Sequence, residues 1–187
     1  MNTYALLLRG INVGGKNKLP MAGLKAFLEE LGCSRVATYI ASGNAVLACD
    51  QPAEQVQALI EAGLPGRFPL DSELVKALVL RREQLQAVVE RRPAGFGEQP
   101  ETYHYDAIFL MGIDAAEAMR VFDPRPGVDR VWAGEGVIYS ERLSAQRSRS
   151  RLTKIIGTPA YQSMTIRNWN TTTRLLEMLL ALDPGEG

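Results

Sequence analysis

The chain has 187 residues, 46% of them hydrophobic, with 21 basic and 21 acidic side chains and a formal net charge of zero. That size suits one large domain or two small ones with a full core, and the balanced charge removes any global electrostatic case for nucleic acid. No apolar run approaches the ~20 residues of a membrane-spanning helix, no basic leader with a cleavage site marks a signal peptide, and Cys33, Cys49 and the single His104 stand outside any zinc-site spacing, which points to buried thiols in a reducing, cytoplasmic compartment.

Residues 3–8 read as a buried strand, followed by a loop over 9–19 rich in glycine and lysine. Pro20 suits the first turn of a helix in which Met21, Leu24, Phe27, Leu28 and Leu31 recur at helical spacing until Gly32. Residues 35–41 and 45–49 flank Ser42, Gly43 and Asn44, residue types that accept positive φ, and so predict a hairpin. Asp50 is placed to cap a second helix carrying Val56, Leu59, Ile60 and Leu64. Residues 74–80 form an apolar-rich strand and 84–91 a short linking helix. Pro93, Gly95, Gly97 and Pro100 then punctuate a loop, the natural boundary between a first subdomain, 1–91, and a second, 92–187.

The order of elements repeats. Residues 103–111 read as a strand, Asp114 and Glu117 as a capping-box-like start to a helix with Met119 and Phe122, and 129–133 with 136–140 as a hairpin around Gly134 and Glu135. A basic loop leads into a short helix near 152–156, 163–167 is a last strand, and Asn170 caps a final helix bearing Leu175, Leu176, Leu179 and Leu182. The repeated βαββαβ order predicts an α+β fold of two tandem ferredoxin-like subdomains with antiparallel sheets and a C-terminal helix. In that plan the loop after the first strand shares a sheet edge with the hairpin turn, which places 9–19 beside Ser42, Gly43 and Asn44.

The stretches TYALLLRGINVGGKNKLPM, YIASGN, VWAGEGVIY and TIRNWNTTTRLLEML, in this order and spacing, resemble the uncharacterised bacterial family catalogued as domain of unknown function 1697. The resemblance implies two ferredoxin-like subdomains. It implies no activity, no cofactor and no catalytic residue.

The main charge signal is a pair of acid-free basic segments: 1–28, with Arg9, Lys16, Lys18 and Lys25, and 142–176, with Arg142, Arg147, Arg149, Arg151, Lys154, Arg167 and Arg174. Residues 10–17 fit the pattern G-x-x-x-x-G-K through Gly10, Gly15 and Lys16, whose backbone cradles phosphate where a helix follows at once. Asn17 stands where a magnesium-binding Ser or Thr belongs, and the helix starts only at Pro20. The segment therefore departs from a nucleotide-hydrolysing loop and reads as a looser anion-binding loop or a plain flexible connection. The run Arg147, Ser148, Arg149, Ser150, Arg151 is either phosphate-binding or a solvated loop whose serines help cap the next helix. Arg167, Asn168 and Trp169 read as a helix start or as an aromatic–amide cluster at a ligand site. Trp132 reads as core or as a base-stacking platform, and His104 as hydrogen-bonded structure or as a general base.

The expected partner is a phosphate-bearing small molecule or a nucleic acid. Its contacts are Arg9, Asn12, Gly14, Gly15, Lys16, Lys18, Ser42, Asn44, Arg147, Arg149, Arg151, Lys154, Arg167, Asn168 and Trp169, with the two basic loops approaching across the junction of the halves. The alternatives are a small-molecule enzyme using Asn12, Asn44, Asn168 and Trp169 at that junction, and a scaffold without chemistry. No metal ligand, cofactor, membrane contact or oligomeric state is assigned.

Overall fold

The computed structural model describes residues 1–71 and 75–182. They form an α+β structure of two four-stranded antiparallel sheets with a C-terminal helix. Contacts divide the chain into Ala87–Thr173 and a unit of Met1–Gln86 with the stretch from Arg174. Residues 174–182 therefore group with the first unit, not with the half they follow in sequence.

The first unit contains β1 (Asn2–Arg9), α1 (Met21–Glu30), β2 (Ser34–Tyr39), β3 (Asn44–Cys49), α2 (Ala53–Arg67), β4 (Lys76–Arg81) and the start of α3 (Arg82–Glu90), with strand order β2-β3-β1-β4. Leu74, the first residue of the predicted fourth strand, lies outside the described residues. Tyr4, Ala5, Leu6, Leu7 and Leu8 are all buried. Since successive side chains alternate faces, both faces of this central strand are covered. On one face Tyr4, Leu6, Leu8, Leu47 and Val79 pack with Leu24, Phe27 and Leu28 of α1 and Val56, Ile60 and Leu64 of α2. Ala5, Leu7, Val46 and Ala48 point the other way and are buried as well.

The ends of these helices follow local chemistry. Pro20, extended at φ −64° and ψ 137°, precedes α1, and Gly32 at φ 87° ends it. The Cys33 N–H donates to Leu28 O and the Gly32 N–H to Glu29 O, the paired bonds of a Schellman motif. Helix α2 starts behind Pro52 without a side-chain cap, which corrects the expectation for Asp50. Strand β2 carries one extra residue between Ser34 and Ala37, a β-bulge, with Arg35 in the left-handed region at φ 51°. The Arg35 guanidinium donates to Leu182 O at 2.7 Å. Cys33 lies opposite Cys49 by the register of β2 on β3. Burial, reinforced by Cys49, pushes the Cys33 thiol up to about 12, so it is an inert core thiol.

The second unit contains β5 (Tyr103–Leu110), α4 (Ala115–Met119), β6 (Asp129–Gly134), β7 (Val137–Leu143), β8 (Met164–Asn168) and the start of α5 (Trp169–Leu182), in strand order β6-β7-β5-β8. Three expectations change here. The crossing from β7 to β8 is made by 3-10 turns, Ser144–Arg149, Leu152–Gly157 and Pro159–Ser163, where a short helix was expected. Helix α4 stops before Phe122. The final helix starts at Trp169, and the acceptor at its start is Asn168, whose Oδ1 takes the Asn170 N–H at 2.9 Å. Asp114 does cap α4, accepting from Glu117 N–H at 2.7 Å. Phe96, 1% exposed, is met edge-on by Tyr105, Tyr139, Trp132 and Trp169 at centroid distances of 4.9, 5.3, 5.9 and 5.1 Å. That geometry assigns Trp132 and Trp169 to packing.

Gly43 should be the least replaceable of the glycines near β1. It has φ 77°, and a Cβ there would lie 2.7 Å from both Leu8 Cβ and Ile11 Cδ1, whereas one on Gly14, at φ 58°, would meet nothing within 4 Å. Gly43→Ala is expected to cost about 2–4 kcal/mol and Gly14→Ala about 1 kcal/mol in urea unfolding.

Candidate functional site

The connection from β1 to α1 folds into a small hairpin of its own. Gly14 and Gly15, at φ 58° and 77°, lie between Val13 and Lys16, whose backbones pair through a Lys16 N–H to Val13 O bond of 3.0 Å. Two central residues at positive φ are what a primed two-residue turn demands, so the glycines have a conformational cause. The Gly-Gly pair was visible in the sequence as that turn signal.

Two asparagines at φ 52° and 49° close the hairpin. The Asn12 Nδ2 donates to Leu19 O at 3.0 Å and to Ala41 O at 2.7 Å, while its Oδ1 accepts from Leu19 N–H at 2.8 Å. The buried Asn17 donates from Nδ2 to Gly10 O at 2.7 Å and exchanges two bonds with Asp71, N–H to Oδ2 at 2.9 Å and Oδ1 from N–H at 2.7 Å. Sequence reasoning counted Asn17 only as a missing magnesium ligand and did not find Asp71. The loop and the hairpin turn do share one sheet edge: Leu8 N–H donates to Gly43 O at 2.9 Å, and Ile11 packs over Gly43. Asn44 is fully buried and donates to Ser42 Oγ at 2.8 Å and Tyr39 O at 3.1 Å, so these two residues build the turn. Arg9 is half-buried at the end of β1, whereas Gly14, Gly15, Lys16 and Lys18 are exposed. Among the described residues no acceptor meets the N–H groups of Gly14, Gly15 or Lys18.

The second unit supplies an internal comparison. Leu110 N–H donates to Gly136 O at 3.0 Å, the counterpart of the Leu8 bond to Gly43. There the strand-to-helix connection takes residues 111–114, against 10–20 in the first unit. The fold can make this connection in four residues, so the added hairpin is not required by the topology.

The basic run of the second unit is acid-free in sequence but not in space. Arg151 and Lys154 reach Asp123 at 3.1 and 3.6 Å. The buried Asp129 accepts from the backbone N–H of Arg151 at 2.8 Å and of Arg125 at 3.0 Å. Ser150 Oγ takes the Leu152 N–H at 3.2 Å, although the 3-10 turn that follows has no side-chain cap at its start, and Arg149 donates to Gln146 at 3.0 Å. Arg147 and Arg149 are exposed. Arg167 is buried, which pushes its guanidinium down to about 10, and it donates to Thr165 Oγ1 and Ile166 O at 2.9 and 2.8 Å. Asn168 serves the start of α5 and Trp169 packs on Phe96. His104 Nε2 lies 3.1 Å from Asp106, its neighbour on the same face of β5. Among the described residues no group of three His, Cys, Asp or Glu is placed to hold a metal, and no helix is long and apolar enough to cross a membrane.

The model of a family described as a protein of unknown function, DUF1697, matches residues 1–139. This chain belongs to the DUF1697 family. The matched span includes the whole hairpin loop, the turn at 40–43 and the connection at 111–114. This DUF1697 member is also similar to a solved structure, that of the conserved bacterial protein SP0830 from Streptococcus pneumoniae. They share 29% identity over 95% of this chain and 98% of that one, with a TM-score of 0.78, so the likeness extends past residue 139. No curated protein matches.

Asp129 makes a pH prediction. Burial alone would raise its carboxyl. The Arg151 N–H, the Ser150 side chain, the Arg125 N–H and the charge of Arg142 outweigh burial and hold it below the ordinary aspartate value. Its stabilisation is therefore present above the unfolded-state value and is lost as pH falls through the folded one. Asp129→Asn is expected to cost roughly 1–3 kcal/mol at neutral pH and to flatten the fall of the melting temperature below about pH 4, read by circular dichroism melts across pH.

Proposed function

We propose that this protein is a cytosolic binding protein for a phosphate-bearing ligand, held at the tip of the 10–19 hairpin by Lys16, Lys18 and the free amides of Gly14 and Gly15. The observation that carries the reading is the excess of this loop over its four-residue counterpart at 111–114, combined with the side-chain hydrogen bonds that tie it down. Asn12 and Asn17 spend their side chains fixing the hairpin, and a loop ordered before it meets a ligand keeps the entropy that binding would otherwise cost. Consecutive amides at positive φ beside two ammonium groups favour an anion. Arg9 stands at the base of the loop. Arg147 and Arg149 form a second exposed basic patch, with Arg151 and Lys154 already balanced by Asp123.

The same reading treats 1–91 and 92–173 as two ferredoxin-like subdomains, with 174–182 grouped with the first. The strand orders β2-β3-β1-β4 and β6-β7-β5-β8 and the matching Leu8–Gly43 and Leu110–Gly136 bonds support it. A cytosolic setting is supported by two buried free thiols, Cys33 just before β2 and Cys49 at the end of β3.

Titration calorimetry with inorganic tripolyphosphate tests the site. Binding is expected to weaken steeply with ionic strength. Lys16→Ala should cost roughly 1–3 kcal/mol of binding with an unchanged melting temperature. Tripolyphosphate affinity that ignores both salt and the Lys16→Ala and Lys18→Ala substitutions would refute the site.

A further inference from the structure

The hairpin turn between β2 and β3 contains a residue that the fold does not explain. Ile40 has φ 48° and is 53% exposed. A β-branched side chain in the left-handed region is a conformational outlier, costing on the order of 1–2 kcal/mol, and here no burial offsets it. Glycine or asparagine would relieve the strain at a surface position where nothing else demands isoleucine. Strain of this kind persists where a binding site uses it.

Ile40 has a neighbour of the same chemistry. Its next residue, Ala41, accepts the 2.7 Å bond from Asn12 Nδ2, and the residue after Asn12 is Val13, which is 65% exposed. Two β-branched apolar side chains are thus held one residue away from the two ends of a single hydrogen bond, both facing water. Either alone would be unremarkable surface. Together, with one of them strained, they offer exposed apolar surface at the two segments joined by that bond, one of which carries Gly14, Gly15, Lys16 and Lys18.

We infer that the ligand of this loop is a nucleotide, with its phosphates on the lysine-bearing tip and its ring system against Val13 and Ile40. This rests on the phosphate-binding reading above and adds the second half of the ligand. A bare phosphate chain has no use for that apolar surface. A nucleotide joins a phosphate chain, through a sugar, to a base whose flat faces are apolar, which matches the charge of one side of the loop and the apolar surface of the other. Covering part of two aliphatic side chains corresponds to a roughly tenfold gain in affinity.

The test compares adenosine triphosphate with inorganic tripolyphosphate by titration calorimetry, on the wild-type protein and on Ile40→Asn. Wild type is expected to bind the nucleotide about tenfold more tightly than tripolyphosphate. Ile40→Asn, which tolerates positive φ, should melt at or above the wild-type temperature. It should lose the nucleotide's advantage while keeping its tripolyphosphate affinity. Equal affinity of wild type for the two probes would overturn the inference and leave the phosphate site standing. So would an Ile40→Asn variant that keeps the nucleotide's advantage. Failure of wild type to bind either probe would bring down the site itself. Co-sedimentation with phosphatidylglycerol vesicles in place of nucleotide binding would overturn the inference by assigning the apolar surface to a membrane.

Discussion

Strand β1 has water on neither face, and the first unit is arranged around that fact. A run of five residues with no polar side chain except the Tyr4 hydroxyl must sit centrally, with β3 and β4 on either side and cover above and below. The Tyr4 hydroxyl itself finds Gln51 O at 2.8 Å. Helices α1 and α2 take one face, which leaves the end of β1 as a fixed post. The 10–19 hairpin grows from that post, and Ile11 and Gly43 lock it to the neighbouring turn. A candidate ligand element placed there is anchored on a buried strand, the condition under which a few polar groups can hold a geometry.

The G-x-x-x-x-G-K spacing suggested a phosphate cradle at residues 10–17, departing from a nucleotide-hydrolysing loop at Asn17 and at the late helix start, and the backbone agrees with that departure. In such a cradle the amides at a helix start surround the anion. Here Pro20 is extended and α1 begins at Met21, so Lys16 belongs to a β-turn instead. Asparagine does the work that glycine does in a looser loop: it accepts positive φ and, unlike glycine, brings a side chain that satisfies backbone groups. Asn12 and Asn17 do both at once, and this distinguishes the hairpin from a slack connection of similar composition.

Much of the architecture was legible because period-two and period-3.6 patterns report burial directly. The strands, the hairpins and the shared edge of loop and turn all followed from them. What escaped depends on chain segments far apart. Segments 1–28 and 142–176 contain no acid, yet Asp71 binds Asn17 and Asp123 binds Arg151 and Lys154. Charge compensation is a property of space, and a linear scan for acids within a segment misses it. Helix starts were misjudged for a related reason. Asp50 and Asn170 are good capping residues, but the start of α2 was set by Pro52 and the acceptor at the start of α5 by Asn168. The strain at Ile40 had no signal at all, since the residue looks like an ordinary end to a strand.

The bulge in β2 acts on the strand as a change of phase. Ser34 and Ala37 are three residues apart while their partners Ala48 and Val46 are two apart. Cys33 and Val36, an odd number of positions apart, therefore both enter the helix-side core, which strict alternation forbids. Arg35, the residue that absorbs the offset, is also the one that reaches the end of the last helix. A chain shortened by Arg35 would lose the offset but not the phase: Cys33 and Val36 would stand two positions apart and share a face by plain alternation, and what would go is the tie to Leu182. The extra residue thus serves reach toward the last helix and is not a condition for packing Cys33 and Val36.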